Sequence, residues 1–128
     1  MKEEGLIGAA IEARLKAYAP HSKFKVGAAL LTEDGRIFTG CNVENSSYGL
    51  SICAERVAVV KAVSEGCTRF TDLVLVADCE GICTPCGACR QVLFEFNQNM
   101  NITMLNLRGG KLEATVRELL PEAFELDH

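Results

Sequence analysis

The sequence has no excess of positive charge and no long hydrophobic run. Its 13 Lys and Arg residues are outnumbered by 17 Asp and Glu residues, giving a formal net charge of -4. Such a chain has no basic field to neutralise nucleic-acid phosphates or an anionic membrane surface. No apolar run approaches the length that spans a bilayer, and the first residues, MKEEGLIGAA, contain no signal-peptide core. These absences predict a cytoplasmic protein that binds neither nucleic acid nor membrane.

Histidine is scarce and cysteine is abundant. The two histidines, His21 and His128, lie far in sequence from the cysteine motifs. An odd number of cysteines without a secretory signal argues against a disulfide framework and for reduced thiols, some of them metal ligands or core residues. The seven cysteines are Cys41, Cys53, Cys67, Cys79, Cys83, Cys86 and Cys89.

The length and composition fit one globular domain over residues 1–128. The chain is 48% hydrophobic and 23% charged, as is typical of a folded protein, and it contains no repeat or linker. The predicted first helix covers residues 5–18 and packs through Ile7, Ile11, Leu15 and Tyr18. A hairpin of strands 24–31 and 36–42 follows, then a helix from Ser51 to Gly66, a strand over DLVLVAD and a helix over TPCGACRQVLFEF. The last predicted elements are strands over 102–107 and 112–114 and a short helix capped by Thr115 and Glu118. This order predicts an α/β fold, a three-layer αβα sandwich around a mixed five-stranded sheet.

Two of the predicted helices begin with cysteine-containing motifs. Ser51 is the predicted N-cap of the first, and Thr84 that of the second, with Pro85 at the first helical position. If both helices start at the same edge of the sheet, three thiols can meet there, namely those of Cys53, Cys86 and Cys89.

Three thiols with a nearby carboxylate are typical of a catalytic zinc site. Zinc prefers a tetrahedral set of soft ligands, and a catalytic site leaves one of the positions for water. Glu55 follows Cys53 by two residues, so its carboxylate can lie near that open position and move protons. A purely structural zinc site would not require this glutamate.

The motif CAE followed by PCxxC resembles the zinc-dependent nucleoside and nucleobase deaminases. Within that class, CAER and PCGACRQ are similar to the short cytidine deaminases. Further similar segments are AYAPHSKFKVGAALL, GCNVENSSYG and RELLPEAF, so the resemblance covers nearly the whole chain in order.

The resemblance implies zinc-dependent hydrolysis of cytidine and deoxycytidine to uridine and deoxyuridine with release of ammonia. Zinc-bound hydroxide would attack the amino-bearing ring carbon while Glu55 shuttles protons. The implied ligands are Cys53, Cys86 and Cys89, and the implied neighbours are Asn42 and Glu44 at the ribose hydroxyls with Val43 between them, Phe24 on the pyrimidine, the backbone of Ala54 at the base edge, and Arg56 at the ligand sulfurs. The family also implies a homotetramer in which Tyr48 and Phe124 serve a neighbouring subunit's site.

Several alternatives remain at this stage. Cys83 could close a four-cysteine structural zinc site or belong to an iron-sulfur run, and CGAC could be a redox motif. The substrate could be another cytosine nucleoside such as blasticidin S, although deaminases of that kind resemble this chain less around NVENSSYG. A polynucleotide substrate is disfavoured by the net charge and the short loops. Core packing is sufficient to explain Cys41, Cys67 and Cys79.

Overall fold

The computed structural model describes residues 2–126, so His128 lies outside the described residues. The chain order of helices and strands is the predicted one, with an added turn of 3-10 helix at Tyr48–Leu50. No helix between residues 2 and 126 combines the length and hydrophobicity needed to cross a membrane. The elements are α1 (Lys2–Arg14), β1 (Val26–Thr32), β2 (Ile37–Cys41), α2 (Ala54–Ser64), β3 (Phe70–Ala77), α3 (Gly87–Phe96), β4 (Asn101–Asn106), β5 (Lys111–Thr115) and α4 (Val116–Leu119).

The five strands form one mixed sheet in the order β2-β1-β3-β4-β5, which confirms the predicted sheet. The strands β3 and β4 are parallel and are joined through α3, as a parallel pair requires a crossover connection. The other three pairs are antiparallel. The hairpin between β1 and β2 turns at Asp34 and Gly35, where Gly35 has a φ of 91°, a conformation that glycine adopts without strain.

Helices cover both faces of the sheet, which confirms the three-layer arrangement. Successive residues of β1 and β3 point to opposite faces because strand side chains alternate. On one face Leu6 and Ala10 of α1 pack on Ala29, Leu31, Val74 and Val76. On the other face α2, α3 and α4 contribute Ala58, Leu93 and Val116 to a larger core with Ala28, Leu30, Leu73 and Leu75.

The predicted packing face of the first helix is wrong except at Ile7, which packs against the smaller core. The helix ends at Arg14, and within the predicted stripe Ile11, Leu15 and Tyr18 are 39%, 65% and 59% exposed. The buried face consists instead of Leu6, Ala10 and Ala13. A Cβ at Gly27 of β1 would lie 2.1 Å from the Ala10 carbonyl oxygen, so the helix backbone rests directly on the strand. The small side chains of Ala10 and Ala13 allow this approach, and Leu6 is the large apolar residue of the buried face.

The predicted helix caps are also wrong for two helices. The N-caps of α2 and α3 are Cys53 and Cys86, both with extended backbone, and neither Ser51 nor Thr84 fills that position. The Ser51 hydroxyl accepts a hydrogen bond from the Asn45 amide instead. Each cysteine therefore lies at the entrance of its helix rather than inside the first turn.

The capping of the last helix is as predicted. The Thr115 hydroxyl accepts a hydrogen bond from the Glu118 amide, and the Glu118 carboxylate accepts one from the Thr115 amide. This reciprocal pair satisfies two backbone donors that the helix itself leaves free. It defines the start of α4 directly after β5.

The contact between α2 and β2 places the first turn of α2. A Cβ at Gly40 would lie 2.3 Å from the Ala54 carbonyl oxygen and 2.6 Å from the Ala58 nitrogen. Both atoms are backbone and cannot rotate away. The absence of a side chain at Gly40 therefore lets α2 lie on β2 with nothing between them.

We expect Gly40→Ala to lower the free energy of unfolding by about 3 kcal/mol, because the added methyl group must displace the α2 backbone. Gly8→Ala is the matched control: nothing lies within 4 Å of its added Cβ, and alanine favours the interior of a helix by up to about 1 kcal/mol. Urea unfolding of both variants and the wild type measures the difference. Equal stability of Gly40→Ala and wild type would contradict the proposed close contact.

Candidate metal centre and active site

The helices α2 and α3 begin at the same edge of the sheet, as the sequence predicts. The strand register aligns Cys41 with the start of β1, and the start of β1 with Ala77 at the end of β3. The end of β4 continues this edge, where Asn106 pairs with Ala77. The N-termini of two helices therefore converge where the strands end.

Three thiols meet at this edge. The sulfur atoms of Cys53, Cys86 and Cys89 all lie within 4.8 Å of one another. The Sγ atoms of Cys53 and Cys86 are 3.8 Å apart, and those of Cys86 and Cys89 are 3.4 Å apart. Within residues 2–126 this is the group of possible ligands that could hold a metal ion, and Cys83 does not join it. The predicted convergence of the three cysteines is confirmed.

The thiol cluster has an electrostatic environment that favours a deprotonated sulfur. A hydrogen bond with the Cys89 thiol, supported by the Arg56 guanidinium, lowers the pKa of the Cys53 thiol to about 5. The same shared hydrogen bond, together with burial, raises the pKa of Cys89. Both helix N-termini add partial positive charge at the cluster. Deprotonated thiols are the form that binds soft metal ions.

Glu55 is a buried carboxylate beside these thiols. It lies in the first turn of α2 and is 4% exposed. Burial raises its pKa to about 7, and the nearby Cys53 contributes in the same direction. A carboxyl group with such a pKa exchanges protons readily near neutral pH.

Arg56 contacts the cluster from the same turn. Its Nη2 lies 3.8 Å from the Cys53 Sγ, in agreement with the expected contact. Within the part of the chain that the structure describes, its Nε is buried without a hydrogen-bond partner. The guanidinium thus brings a full positive charge to the Cys53 thiol.

The segment NVE, residues 42–44, lies between the residue before Cys53 and the chain that follows α1. Val43 pairs with Ile52 through two hydrogen bonds of 2.9 Å and also forms a parallel bridge with Tyr18. Because Ile52 directly precedes Cys53, this small ladder holds the entrance of α2. The Val43 side chain itself is 41% exposed and remains available to a ligand.

Asn42 supports the loop that carries Phe24. Its Nδ2 donates to the Phe24 carbonyl oxygen at 2.8 Å, and its Oδ1 accepts from the Val26 amide at 2.9 Å. Each end of the side-chain amide retains one further hydrogen-bonding position. The predicted ribose residue therefore has a structural role that the sequence did not indicate.

Glu44 supports the same loop at its other end. Its Oε1 accepts from the amides of His21 and Ser22 at 2.9 and 3.1 Å, and its Oε2 accepts from the Ser22 hydroxyl. The Ser22 hydrogen bonds lower the pKa of the Glu44 carboxyl. The carboxylate is consequently ionised at neutral pH.

The remaining predicted contact residues differ in their surroundings. Phe24 and Tyr48 are 37% and 77% exposed, and the Tyr48 ring lies edge-on to His21 with centroids 6.1 Å apart. Phe124 is 70% exposed, and its carbonyl oxygen accepts a hydrogen bond from Gln91 of α3. Ala54 is buried against β2.

The other cysteines have environments consistent with packing. Cys67 is buried in the larger core. Cys79 and Cys83 pack against that core, and Cys41 is half-buried at the end of β2. Burial raises the pKa of the Cys83 thiol to about 11, so it stays protonated.

One supporting residue, Asn106, has no signal in the sequence beyond a polar position that ends a buried strand. It is 8% exposed, and both ends of its side chain are satisfied. Its Nδ2 donates to the carbonyl oxygens of Glu80 and Gly81, and its Oδ1 accepts from the amides of Arg108 and Gly110. It joins the β4–β5 turn to the loop that leads towards Cys86.

Comparison with known proteins finds relatives that match nearly the whole chain. A family model described as the cytidine and deoxycytidylate deaminase zinc-binding region matches residues 1–105. The chain is 55% identical over 125 residues to a cytidine deaminase of Sporosarcina psychrophila, covering 97% of this chain and 92% of that protein. It is 50% identical over 125 residues to a cytidine deaminase of Halalkalibacterium halodurans, covering 97% and 95%.

Solved structures agree with these matches. The crystal structure of cytidine deaminase from Burkholderia pseudomallei superposes with a TM-score of 0.94 at 47% identity, covering 97% of this chain and 100% of that one. That of cytidine deaminase from Mycobacterium tuberculosis has a TM-score of 0.84 at 42% identity, covering 98% and 99%. Since motif, fold and full-length similarity agree, the chain belongs to the zinc-binding cytidine deaminase family.

Proposed function

We propose that the chain hydrolyses cytidine and deoxycytidine to uridine and deoxyuridine with release of ammonia, within one catalytic domain over residues 1–128. One observation carries this proposal: three thiols within 4.8 Å of one another beside the buried Glu55. The overall change consumes one water, which replaces the amino group on the ring carbon. A purely structural metal site gives no reason to bury a carboxylate next to its ligands.

Cys53, Cys86 and Cys89 would hold the zinc ion. The donor set fits, because thiolates are preferred zinc ligands and three of them leave one tetrahedral position free. The chemistry that zinc supplies in such a site is Lewis-acid activation of water near neutral pH. With Cys83 outside the group, a closed four-cysteine site is disfavoured.

Glu55 would move the protons of the reaction. Its carboxylate would accept a proton from the attacking water and deliver it to the ring nitrogen next to the amino-bearing carbon. A second transfer to the departing amino group allows it to leave as ammonia. The position of Glu55 in the first turn of α2 buries its carboxylate beside the Cys53 and Cys89 thiols, away from bulk water.

Arg56 would offset the charge of the ligands. Three thiolates over-neutralise a divalent ion and make a bound water less acidic. The Arg56 guanidinium, 3.8 Å from the Cys53 sulfur, returns positive charge to the site. The two helix N-termini act in the same direction.

The substrate would lie along the segment that contains NVE. Asn42 and Glu44 would bind the ribose hydroxyls with their remaining hydrogen-bonding positions, and Val43 lies exposed between them. Phe24 would stack on the pyrimidine. The backbone of Ala54 would meet the base edge. These assignments place the sugar beside the loop that Asn42 and Glu44 already hold.

The protein would assemble as a homotetramer in which Tyr48 and Phe124 complete a neighbour's site. Both side chains are largely exposed, at 77% and 70%. Aromatic residues such as these are enriched at interfaces between protein chains. The partners would be nucleosides and copies of this chain, not nucleic acid or membrane, in the cytoplasm.

We expect Cys86→Ser to lose bound zinc and Cys83→Ser to retain it. The first variant removes one of three soft ligands, whereas the second changes a thiol outside the cluster. Zinc content after dialysis, measured by atomic absorption, should be about one ion per chain for the wild type and Cys83→Ser. If Cys83→Ser lost zinc while Cys86→Ser retained it, the proposed ligand set would be wrong.

We expect Glu55→Gln to retain zinc and to lower kcat for cytidine at least roughly 100-fold, because glutamine cannot transfer protons. The loss of absorbance on conversion to uridine measures the rate. Glu65→Gln, the same change at the exposed C-cap of α2, is the control and should match the wild type.

Arg56→Gln should also keep zinc and lose turnover.

A zinc-loaded wild type that leaves cytidine unchanged would refute cytidine as the substrate. Other cytosine nucleosides, blasticidin S among them, would then be tested in the same assay. Full activity in zinc-loaded Glu55→Gln would instead refute the role of the glutamate.

Sedimentation equilibrium should give roughly four times the chain mass of 13.9 kDa for the zinc-loaded protein. Phe124→Ala should raise KM or lower kcat without removing zinc, because its side chain would line a neighbour's site. A fully active monomer would contradict the shared site.

A further inference from the structure

Cys86 is the least constrained of the three proposed ligands. Cys89 is buried within α3, and Cys53 follows Ile52, which is fixed by two backbone hydrogen bonds to Val43. Cys86 is exposed and caps α3 with an extended backbone, with φ −67° and ψ 167°. The position of its sulfur therefore depends on the loop that precedes it.

That loop lacks the backbone support that Cys53 has. In the part of the chain that the structure describes, residues 82–85 form no backbone–backbone hydrogen bond. The hydrogen bonds found to these four residues both come from one side chain, Arg90. Its Nε donates to the Pro85 carbonyl oxygen at 2.7 Å, and its Nη2 donates to the Thr84 hydroxyl at 3.1 Å.

The third arm of Arg90 reaches a different element. Its Nη1 donates to the Leu119 carbonyl oxygen at 2.7 Å, at the end of α4. All three nitrogen groups of the guanidinium thus hold main chain or a hydroxyl in a planar fork, a geometry that lysine cannot reproduce. None of the ion pairs found in residues 2–126 includes Arg90.

We propose that Arg90 is the positioning residue for the metal ligand Cys86, fastening the loop before it to α3 and to the end of α4. This inference rests on the proposed metal centre but goes beyond the residues that would bind zinc or substrate. The entrance of α2 is held by backbone hydrogen bonds between Val43 and Ile52. At the entrance of α3, the side-chain hydrogen bonds of Arg90 serve the same purpose. Without it, Thr84 and Pro85 are free to move, and the Cys86 sulfur moves with them.

The test is the rate at which the zinc-loaded protein releases zinc to an excess of a colorimetric chelator, at a temperature where circular dichroism shows each variant folded. Loss of a residue that orients a ligand typically weakens metal binding 10–100-fold. We expect about this acceleration for both Arg90→Met and Arg90→Lys, because a lysine keeps the charge but not the fork. Arg117→Met is the control, since that exposed α4 arginine contacts Gln98 and not the loop.

Thr84→Val is a milder variant that removes only one of the three acceptors. It should release zinc a few-fold faster than the wild type, and it serves as the deciding variant if Arg90→Met does not fold. Wild-type release from folded Arg90→Met, or from Thr84→Val when Arg90→Met is unfolded, would overturn the proposal. Wild-type release from Arg90→Lys would also overturn it by reducing the role to charge.

The release assay contains no nucleoside, so its result is independent of the proposed reaction. Faster release from the Arg90 variants, with no deamination of cytidine by the wild type, would retain this inference and refute the function. Deamination of cytidine by the wild type, with zinc release from the Arg90 variants unchanged, would support the function and refute this inference. In an active enzyme, Arg90→Met should lower zinc content and kcat together while KM changes little.

Discussion

The close contact between α2 and β2 at Gly40 is the constraint on which the site depends. With no side chain at this position, the backbone of the first turn of α2 rests on the strand. That turn carries Glu55 and follows directly from Cys53. A helix held further from the sheet would carry the thiol and the carboxylate away from the sulfurs at the start of α3. Backbone packing of α2 on β2 therefore sets where Cys53 and Glu55 of the proposed metal centre lie.

The two helices present their N-termini to the site in an unusual way. Cys53 and Cys86 occupy N-cap positions where serine, threonine or aspartate is commonly found. The Cys53 side chain makes no capping hydrogen bond, so the first amides of α2 keep their partial positive charge. These N-cap positions hold two of the three proposed metal ligands, and the Cys86 sulfur also accepts a hydrogen bond from the Cys89 amide. The same helix ends would help to balance the negative charge of these proposed ligands.

The sequence predicted the element order, the mixed sheet and the meeting of the three cysteines, because alternation, helical spacing and motif spacing are local signals. It failed where local signals are ambiguous. Ser51 and Thr84 are good caps by type, yet their hydroxyls accept hydrogen bonds from elsewhere. The helical spacing of Ile7, Ile11, Leu15 and Tyr18 favours a different face of α1 from the one that is buried. Gly27 allows a close approach through Ala10, and Leu6 and Ala13 are buried with it.

The supporting contacts could not be predicted, because they join residues distant in sequence. Asn106 reaches the loop at Glu80, and Arg90 reaches Leu119 at the end of α4. Neither pairing follows from residue type or spacing. For the same reason, nothing in the residue pattern indicates that Asn42 and Glu44 hold the loop around Phe24.

The hydrogen bonds that Glu44 makes within the protein limit the number of sugar hydroxyls that it can bind. A carboxylate offers about four acceptor positions, and two amides and one hydroxyl of the loop already occupy three of them. In the proposed complex about one position is left, enough for a single hydroxyl without displacing Ser22. The Glu44 carboxylate would then accept a hydrogen bond from one sugar hydroxyl and would not discriminate between sugars that differ elsewhere on the ring. A ribose and a deoxyribose that both offer that hydroxyl would be equivalent to it.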